Sequence, residues 1–295
     1  MTDWADLAGL EALAPHTGPF PHAGFLGAWW HHRGRGVLTP VRAGEGALVL
    51  VVDGRLATLA GEAELTDYHS PLGTDLGAVA GEVVASLRPG CRLAFDSLPI
   101  EAAEEMVKQF GVAGVSLTMT EHDAAMVLEL PGDLEAYLET LEGKQRHEVR
   151  RKRRRFAAQA GPPVLRRDPQ AVGEFVAMHR TAPGVKGEFM TSGIEGFFGS
   201  LIDDAGAVID VLVDGDGRPV GAAFGFEDED TYYLYNSAFD PGRAALSPGI
   251  VLVTSLIEAV IASGRRRFDF LKGGEEYKAR LGADPRPLYL LEGVV

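Results

Sequence analysis

The segment from Ser247 to Lys278 restricts the fold of this chain more than any other. Its first part, S-P-G-I-V-L-V-T-S-L-I-E-A-V-I-A-S-G, places Ile250, Val253, Leu256, Ile257, Val260 and Ile261 at the i, i+3, i+4, i+7 spacing of a helix face. Nearly everything between them is apolar too, so this helix has to be covered almost all round. Ser247 stands where an N-cap belongs, Pro248 at the first helical position and Gly264 at the C-terminus. R-R-R-F-D-F-L-K then reads as a short strand with one carboxylate, Asp269, in its middle. Gly273 and Gly274 hinge it to a second helix. A helix start facing solvent offers open backbone N–H groups to an anion. Downstream, Asp269, Lys272, Glu275, Glu276, Tyr277 and Lys278 crowd ten positions with ionisable groups, which makes this the densest candidate for chemistry.

Periodicity and turn chemistry order the rest. Helical character is expected up to Trp30, with strands over 37–41, 47–52 and 55–60, the last following an Asp53-Gly54 turn. A polar loop, Thr66 to Pro71, precedes a helix over 74–87, a strand over 92–96 and a helix over 99–110. Strands over 115–120 and 124–130 end the first half. One long helix is predicted over 132–160, its apolar stripe formed by Leu134, Leu138, Leu141, Val149 and Phe156 and its end marked by Gly161-Pro162-Pro163. After it come a strand (164–167), helices over 169–180 and 193–204, and a three-strand meander (207–213, 219–226, 231–237). The capped helix, its strand, a short helix and a final strand over 287–291 complete the chain.

The halves echo one another. Phe95-Asp96 and Phe268-Asp269 lie 173 positions apart, and the same offset carries the helix near Thr74 onto the one beginning at Ser247. Asp-Gly-Arg turns precede a strand in both halves, at Asp53 and Asp216. The reading is an α/β protein of two similar units, 1–131 and 161–295, joined by a long basic helix over 132–160.

Charge and composition narrow the function. The chain of 295 residues has a net charge of −14, which argues against general nucleic-acid binding, yet residues 144–155 alone carry eight Lys and Arg against one Glu. The single cysteine, Cys91, excludes disulfide frameworks and thiolate metal clusters. No His/Cys/Asp cluster has metal-ligand spacing, so no metal is expected. No window reaches the length of a membrane span, and M-T-D-W-A-D-L lacks a basic leader. The cytoplasm is the expected compartment, with no membrane partner.

The element order of the second half, β-α-α-β-β-β-α-β-α-β, is that of the GNAT N-acetyltransferases. K-Q-R-H-E-V-R-R-K-R-R-R-F, M-H-R, S-P-G-I-V-L and D-F-L-K-G-G-E-E-Y-K, in that order, resemble the GNAT-like acyltransferases grouped with CelD proteins. These are distant relatives of the FemAB peptidyltransferases, which also pair two GNAT-like units. The resemblance runs over nearly the whole chain and is strongest over residues 141–295. It implies transfer of an acyl group, other than aminoacyl, from a coenzyme A thioester to a small-molecule amine, at a site between the units and mostly on the second. FemAB proteins use aminoacyl-tRNA instead, and a catalytically silent anion-binding module is a third reading. The usual pyrophosphate loop of the superfamily corresponds to Arg243-Ala244-Ala245-Leu246-Ser247-Pro248-Gly249, where the spacing is altered and Pro248 removes one N–H donor.

Site residues follow from that resemblance. Tyr277 falls where many GNAT enzymes place the tyrosine that protonates the leaving thiolate, unless it simply packs its ring at a helix surface. Glu276, or a chain of waters, is the fallback base. Tyr235 and Asn236, ending the third meander strand, would pair with the pantetheine amides. Arg243, Ser247, Gly249 and Ile250 would hold the pyrophosphate. Arg146, Arg150 and Arg154 share one helical face and need anions: carboxylates of this chain, a phosphorylated or carboxylate substrate, or the phosphates of tRNA. His179, Asp67, Tyr68 and Lys278 are candidates for substrate binding. Asp269 is expected to be scaffold, paired with Lys278 or Arg267 or capping Gly273-Gly274, because a carboxylate inside an apolar strand must be paired.

Overall fold

The computed structural model describes residues 4–295. Contacts divide the chain into two compact units, one comprising residues up to Ala125 together with Arg286–Val295, the other Met126–Pro285.

In the first unit, α1 (Ala23–Arg33) is followed by β1 (Val37–Ala43), β2 (Gly46–Asp53), β3 (Leu56–Leu59) and the two-residue β4 (Leu72–Gly73). Helix α2 (Leu76–Ser86), β5 (Arg92–Leu98), α3 (Ile100–Val112) and the first part of β6 (Thr118–Glu129) follow, and β12 (Asp284–Val294) closes it. The sheet runs β1-β2-β3-β5-β12, with β4 against β2. β1, β2 and β3 form an antiparallel meander, and β5 lies parallel to β3 over Leu56–Arg92, Ala57–Leu93 and Thr58–Ala94. Leu48, Leu50, Leu93 and Phe95 meet Val79, Val83, Met106 and Phe110 of α2 and α3 in one core.

The second unit begins with the end of β6. It continues with α4 (Leu134–Thr140), α5 (Gly143–Ala160), β7 (Val164–Arg167), α6 (Val172–Arg180), α7 (Val185–Phe189) and α8 (Ser192–Ala205). Then come β8 (Val208–Val213), β9 (Pro219–Glu227), β10 (Thr231–Phe239), α9 (Pro248–Ala262), β11 (Arg267–Lys272) and α10 (Glu276–Arg280). Its sheet runs β6-β11-β10-β9-β8-β7. One face carries α9, whose Val251, Leu252, Leu256 and Ile257 pack with Tyr232, Phe268, Val149 and Phe156. The other carries α6 and α8 through a ring cluster of Phe175, Phe198, Phe224 and Tyr235.

The two units thus repeat one plan: an antiparallel meander, a helix, then a strand parallel to the meander's last. In each, the parallel ladder spans three pairs, here Thr231–Arg267, Tyr232–Phe268 and Tyr233–Asp269.

Three local readings change. The helix expected over 132–160 is two helices, because Leu141 and Glu142 take extended backbone (ψ 147° and 145°) between them. Asp133 caps the first by accepting from the Ala136 N–H at 2.8 Å. The strands expected over 115–120 and 124–130 are one strand, β6, running unbroken through Glu121, His122 and Asp123. The basic helix α5 stands inside the second unit, since Val149 and Phe156 are buried in its core, and residues 286–295 return to the first unit because Tyr289 to Val294 pair with β5.

Candidate active site

β10 is buried over its first four residues and half-exposed at Tyr235, Asn236 and Ser237. Two features produce the change. The β9–β10 register slips between Leu234 and Asn236, a bulge at Tyr235 that bends the strand. The parallel ladder to β11 also ends at Tyr233–Asp269, so the later residues of the two strands run apart.

Asp269 explains why β11 turns away. Its buried carboxylate accepts the Leu271 N–H at 2.7 Å, an Asx-turn, and Leu271 takes a left-handed φ of 61°. A left-handed leucine costs about 1–3 kcal/mol and persists only where its surroundings hold it. Lys278 supplies the hold. Its ammonium is buried and donates to the carbonyls of Leu271 (3.3 Å), Lys272 (2.7 Å) and Gly273 (3.0 Å), with the Glu275 carboxylate at 2.8 Å. Lys278 is therefore bound up in the strand's end, which consumes the donors that a substrate contact would need. Arg267, the other expected partner of Asp269, pairs with Glu129.

The start of α9 departs from the expected cap. Ser247 has φ 55° and ψ 48°, and its side chain caps nothing. Its hydroxyl instead accepts a hydrogen bond from the guanidinium of Arg155, on α5, at 2.6 Å. Behind Pro248, the N–H groups of Gly249 and Ile250 have no partner among the described residues, and both residues are partly accessible. Arg155 keeps a buried Nε without a partner. Arg243 lies on the preceding turn, 3.4 Å from Asp214. Open amides, a guanidinium and the positive end of a long helix form a place for an anion. Arg155 was missed in the sequence, although it adjoins Phe156, which marks the buried side of α5.

Around the far end of the parted strands, Tyr277 packs its ring edge on Phe270, 6.2 Å between centroids. Burial, then the Glu275 carboxylate, push its phenol up to about 12. His179 is buried, with Nε2 3.2 Å from Oδ1 of Asn236. Burial and then the ammonium of Lys186 lower its pKa below 6.5. Lys186 keeps much of its surface in solvent, yet packing around its ammonium lowers its own pKa against the pull of Glu275. Tyr277, Glu275, Lys278, Lys186, His179 and Asn236 are thus linked by contact or by field. Glu276 points elsewhere: it pairs with Arg280 one turn on and is exposed.

The remaining expected residues do not join this group. Arg150 pairs with Glu135, and Arg146 reaches the Glu139 carbonyl at 3.4 Å. Arg154 and Lys144 have no ion pair or hydrogen bond among the described residues. In the first unit, Tyr68 is buried with the Arg286 guanidinium 5.2 Å from its ring centre, and Thr66 and His69 are buried beside it. On this loop Tyr68 is buried while Asp67 is half-buried.

Residues 143–279 match the family model described as an acetyltransferase (GNAT) domain. Among solved structures the fold is similar to a conserved protein of unknown function from Bacteroides thetaiotaomicron VPI-5482, at 12% identity and TM-score 0.68, over 100% of this chain and 98% of that one. It is similar to FemX, at 9% identity and TM-score 0.64, over 97% and 94% of the two chains. It is also similar to L-PGS from Bacillus licheniformis, at 13% identity and TM-score 0.61, over 93% and 92%. At such identities the likeness is one of fold. No curated protein sequence matches this chain. Among the described residues no helix is long and apolar enough to cross a membrane, and no group of three His, Cys, Asp or Glu is placed to hold a metal.

Proposed function

We propose that this protein transfers an acyl group from a coenzyme A thioester to the amine of a small acceptor, on the second unit. The observation that carries the reading is the parting of β10 from β11 beyond Tyr233 and Asp269. It lies in the same unit as a 15-residue helix whose first open amides are accessible. The residues fit such a donor. Gly249, Ile250 and Arg155 offer hydrogen bonds to a pyrophosphate, with Arg243 and Ser247 on the same turn, and the half-exposed backbone at Tyr235 and Asn236 suits a pantetheine amide chain. Bound there, the thioester supplies an electrophilic acyl carbon.

The chain's own groups then have distinct tasks. Glu275, exposed at its outer edge although it also pairs with Lys278, attracts the acceptor as its ammonium ion; water takes one proton before attack, and the second proton lost by nitrogen as the amide forms ends on the departing thiolate. Tyr277, held neutral, donates a hydrogen bond to the sulfur as negative charge develops on it. Asp269 and Lys278 hold the strand end that carries α10. Glu276 has no part in this reading because Arg280 occupies it.

Titration calorimetry with acetyl- and longer acyl-coenzyme A, followed by thiol release in the presence of amines, tests the proposal. Binding is expected, and Arg155→Ala should weaken it by roughly tenfold, the worth of one charged hydrogen bond. Absence of binding to every thioester would remove it. The free cations Arg154 and Lys144 favour a second reading, an aminoacyl-tRNA donor. That reading predicts salt-sensitive tRNA binding that Arg154→Glu weakens. Anion binding without turnover by any donor would leave a silent binding module.

A further inference from the structure

A single irregularity in β10 decides which way Asn236 points. Side chains alternate between the two faces along a regular strand. Leu234 lies in the core with α9, so two positions on Asn236 should return to that face. The bulge at Tyr235 cancels the return. Leu234 pairs with Gly225, but Asn236 pairs with Phe224, the residue next to it, whose ring lies in the cluster with Phe175 of α6 and Phe198 of α8. Tyr235 and Asn236 therefore both face these helices, Tyr235 against Phe198 and Asn236 against His179 of α6.

His179 fixes the amide. It is 1% exposed and touches the rings of Phe175 and Phe189. Burial, then the Lys186 ammonium, keeps it neutral. A neutral imidazole has one N–H and one bare nitrogen. Oδ1 of Asn236, 3.2 Å from Nε2, can only accept, so the hydrogen belongs on Nε2. The other tautomer would set two acceptors face to face and strand an N–H at Nδ1, which is buried without a hydrogen-bond partner. With Oδ1 held, the amino group at Nδ2 is the free end of the side chain. It has no partner among the described residues and stays open to solvent, beyond the last β10–β11 pair, Tyr233–Asp269.

The geometry points to Asn236 as a catalytic residue, its Nδ2 amino group donating a hydrogen bond to the acyl carbonyl oxygen under attack, with His179 as the positioning residue that holds the amide in that sense. This assignment rests on the acyl-transfer reading. Attack by the amine nitrogen moves the carbonyl electron pair onto oxygen. The pair returns as the carbon–sulfur bond breaks and its electrons leave on sulfur. Asn236 gives up no proton; it offers a fixed dipole where negative charge develops.

Two measurements test it. Nitrogen chemical shifts of isotope-labelled histidine, with His179 assigned through His179→Gln, show which ring nitrogen carries the hydrogen in the protein alone. Nε2–H is expected, with a changed signal in Asn236→Ala, and an Nδ1–H ring would overturn the assignment because the amide would then present its oxygen. In thiol-release kinetics, Asn236→Ala should lower kcat about a hundredfold while acyl-coenzyme A binding and the acceptor KM stay within about twofold. Asn236→Asp, which sets a carboxylate oxygen beside the developing charge, should be slower still. His179→Leu should cost about tenfold in kcat, and His179→Gln, whose amide nitrogen can replace Nε2, should restore it to within about threefold. Circular dichroism verifies the fold of each variant. Turnover by the parent with kcat of Asn236→Ala within about twofold overturns this assignment alone, as does a loss confined to the acceptor KM. No turnover of any thioester by the parent removes the acyl-transfer reading, and this assignment with it.

Discussion

Replacing Tyr277 with Phe isolates one hydroxyl. The ring stays on Phe270, and the hydroxyl has no hydrogen-bond partner among the described residues, so stability should change by less than about 0.5 kcal/mol. The catalytic effect is set by acidity. Burial and Glu275 push the phenol up to about 12, whereas a thiol lies near 8.5. Full proton transfer to the departing thiolate is then uphill by about 5 kcal/mol, at roughly 1.4 kcal/mol per unit. Tyr277 should therefore act by hydrogen bonding, which for a charged acceptor contributes about 1.5–3 kcal/mol, or roughly 10–100-fold in kcat. The assay is thiol release from acyl-coenzyme A with saturating amine. A second donor, an aryl thioester with a more acidic thiol, places less charge demand on sulfur, so the penalty for Tyr277→Phe should shrink with it. The activity of the unaltered protein should show no ionisation from this residue below about pH 11. A kcat within twofold of the parent, or an equal penalty on both donors, would refute the assignment.

Two further outcomes follow from the same geometry. Lys278→Met keeps the length of the side chain but strips three carbonyls of their shared ammonium. Losing those contacts, offset by no longer burying a charge, should cost about 2–4 kcal/mol in urea unfolding, and a loss under about 0.5 kcal/mol would show that the strand end holds itself. Stability should also fall as pH rises above 10. Burial raises the phenols of Tyr137, Tyr232, Tyr233 and Tyr277 in the folded state. Each contribution is complete below the unfolded value near 10 and is lost as pH climbs towards the folded one. Urea midpoints at pH 9, 10 and 11 test this, and equal midpoints would contradict it.

Much of the chain was legible without a fold. The strand over 164–167 and the helix behind Pro248 stand where periodicity puts them, and the meander strands and the 74–87 helix lie within a few residues of it. The internal echo at Asp96 and Asp269 marked a plan that each unit repeats. Those features depend on neighbours a few positions away. The break at Leu141 was missed because its apolar side chain continues the helical stripe while its backbone leaves the helix.

The site was less legible because its residues are assigned by contacts across the unit. Lys278 looked like a ligand and is bound to the chain's own carbonyls. Ser247 looked like a cap and is the acceptor for Arg155, 92 positions away in sequence. Lys186 carries no motif, and Glu275, although it stands in D-F-L-K-G-G-E-E-Y-K, gains a role only from what surrounds it. Sequence alone determined most of the order of strands and helices, because that order follows from local periods of two and 3.6 residues. Only the tertiary structure decided where β10 and β11 part, since a bulge on one strand and an Asx-turn on the other must coincide. It alone decided, too, that Arg153 and Arg155 of α5 meet α9, at Glu258 and at Ser247, while Arg154 between them makes no such pair.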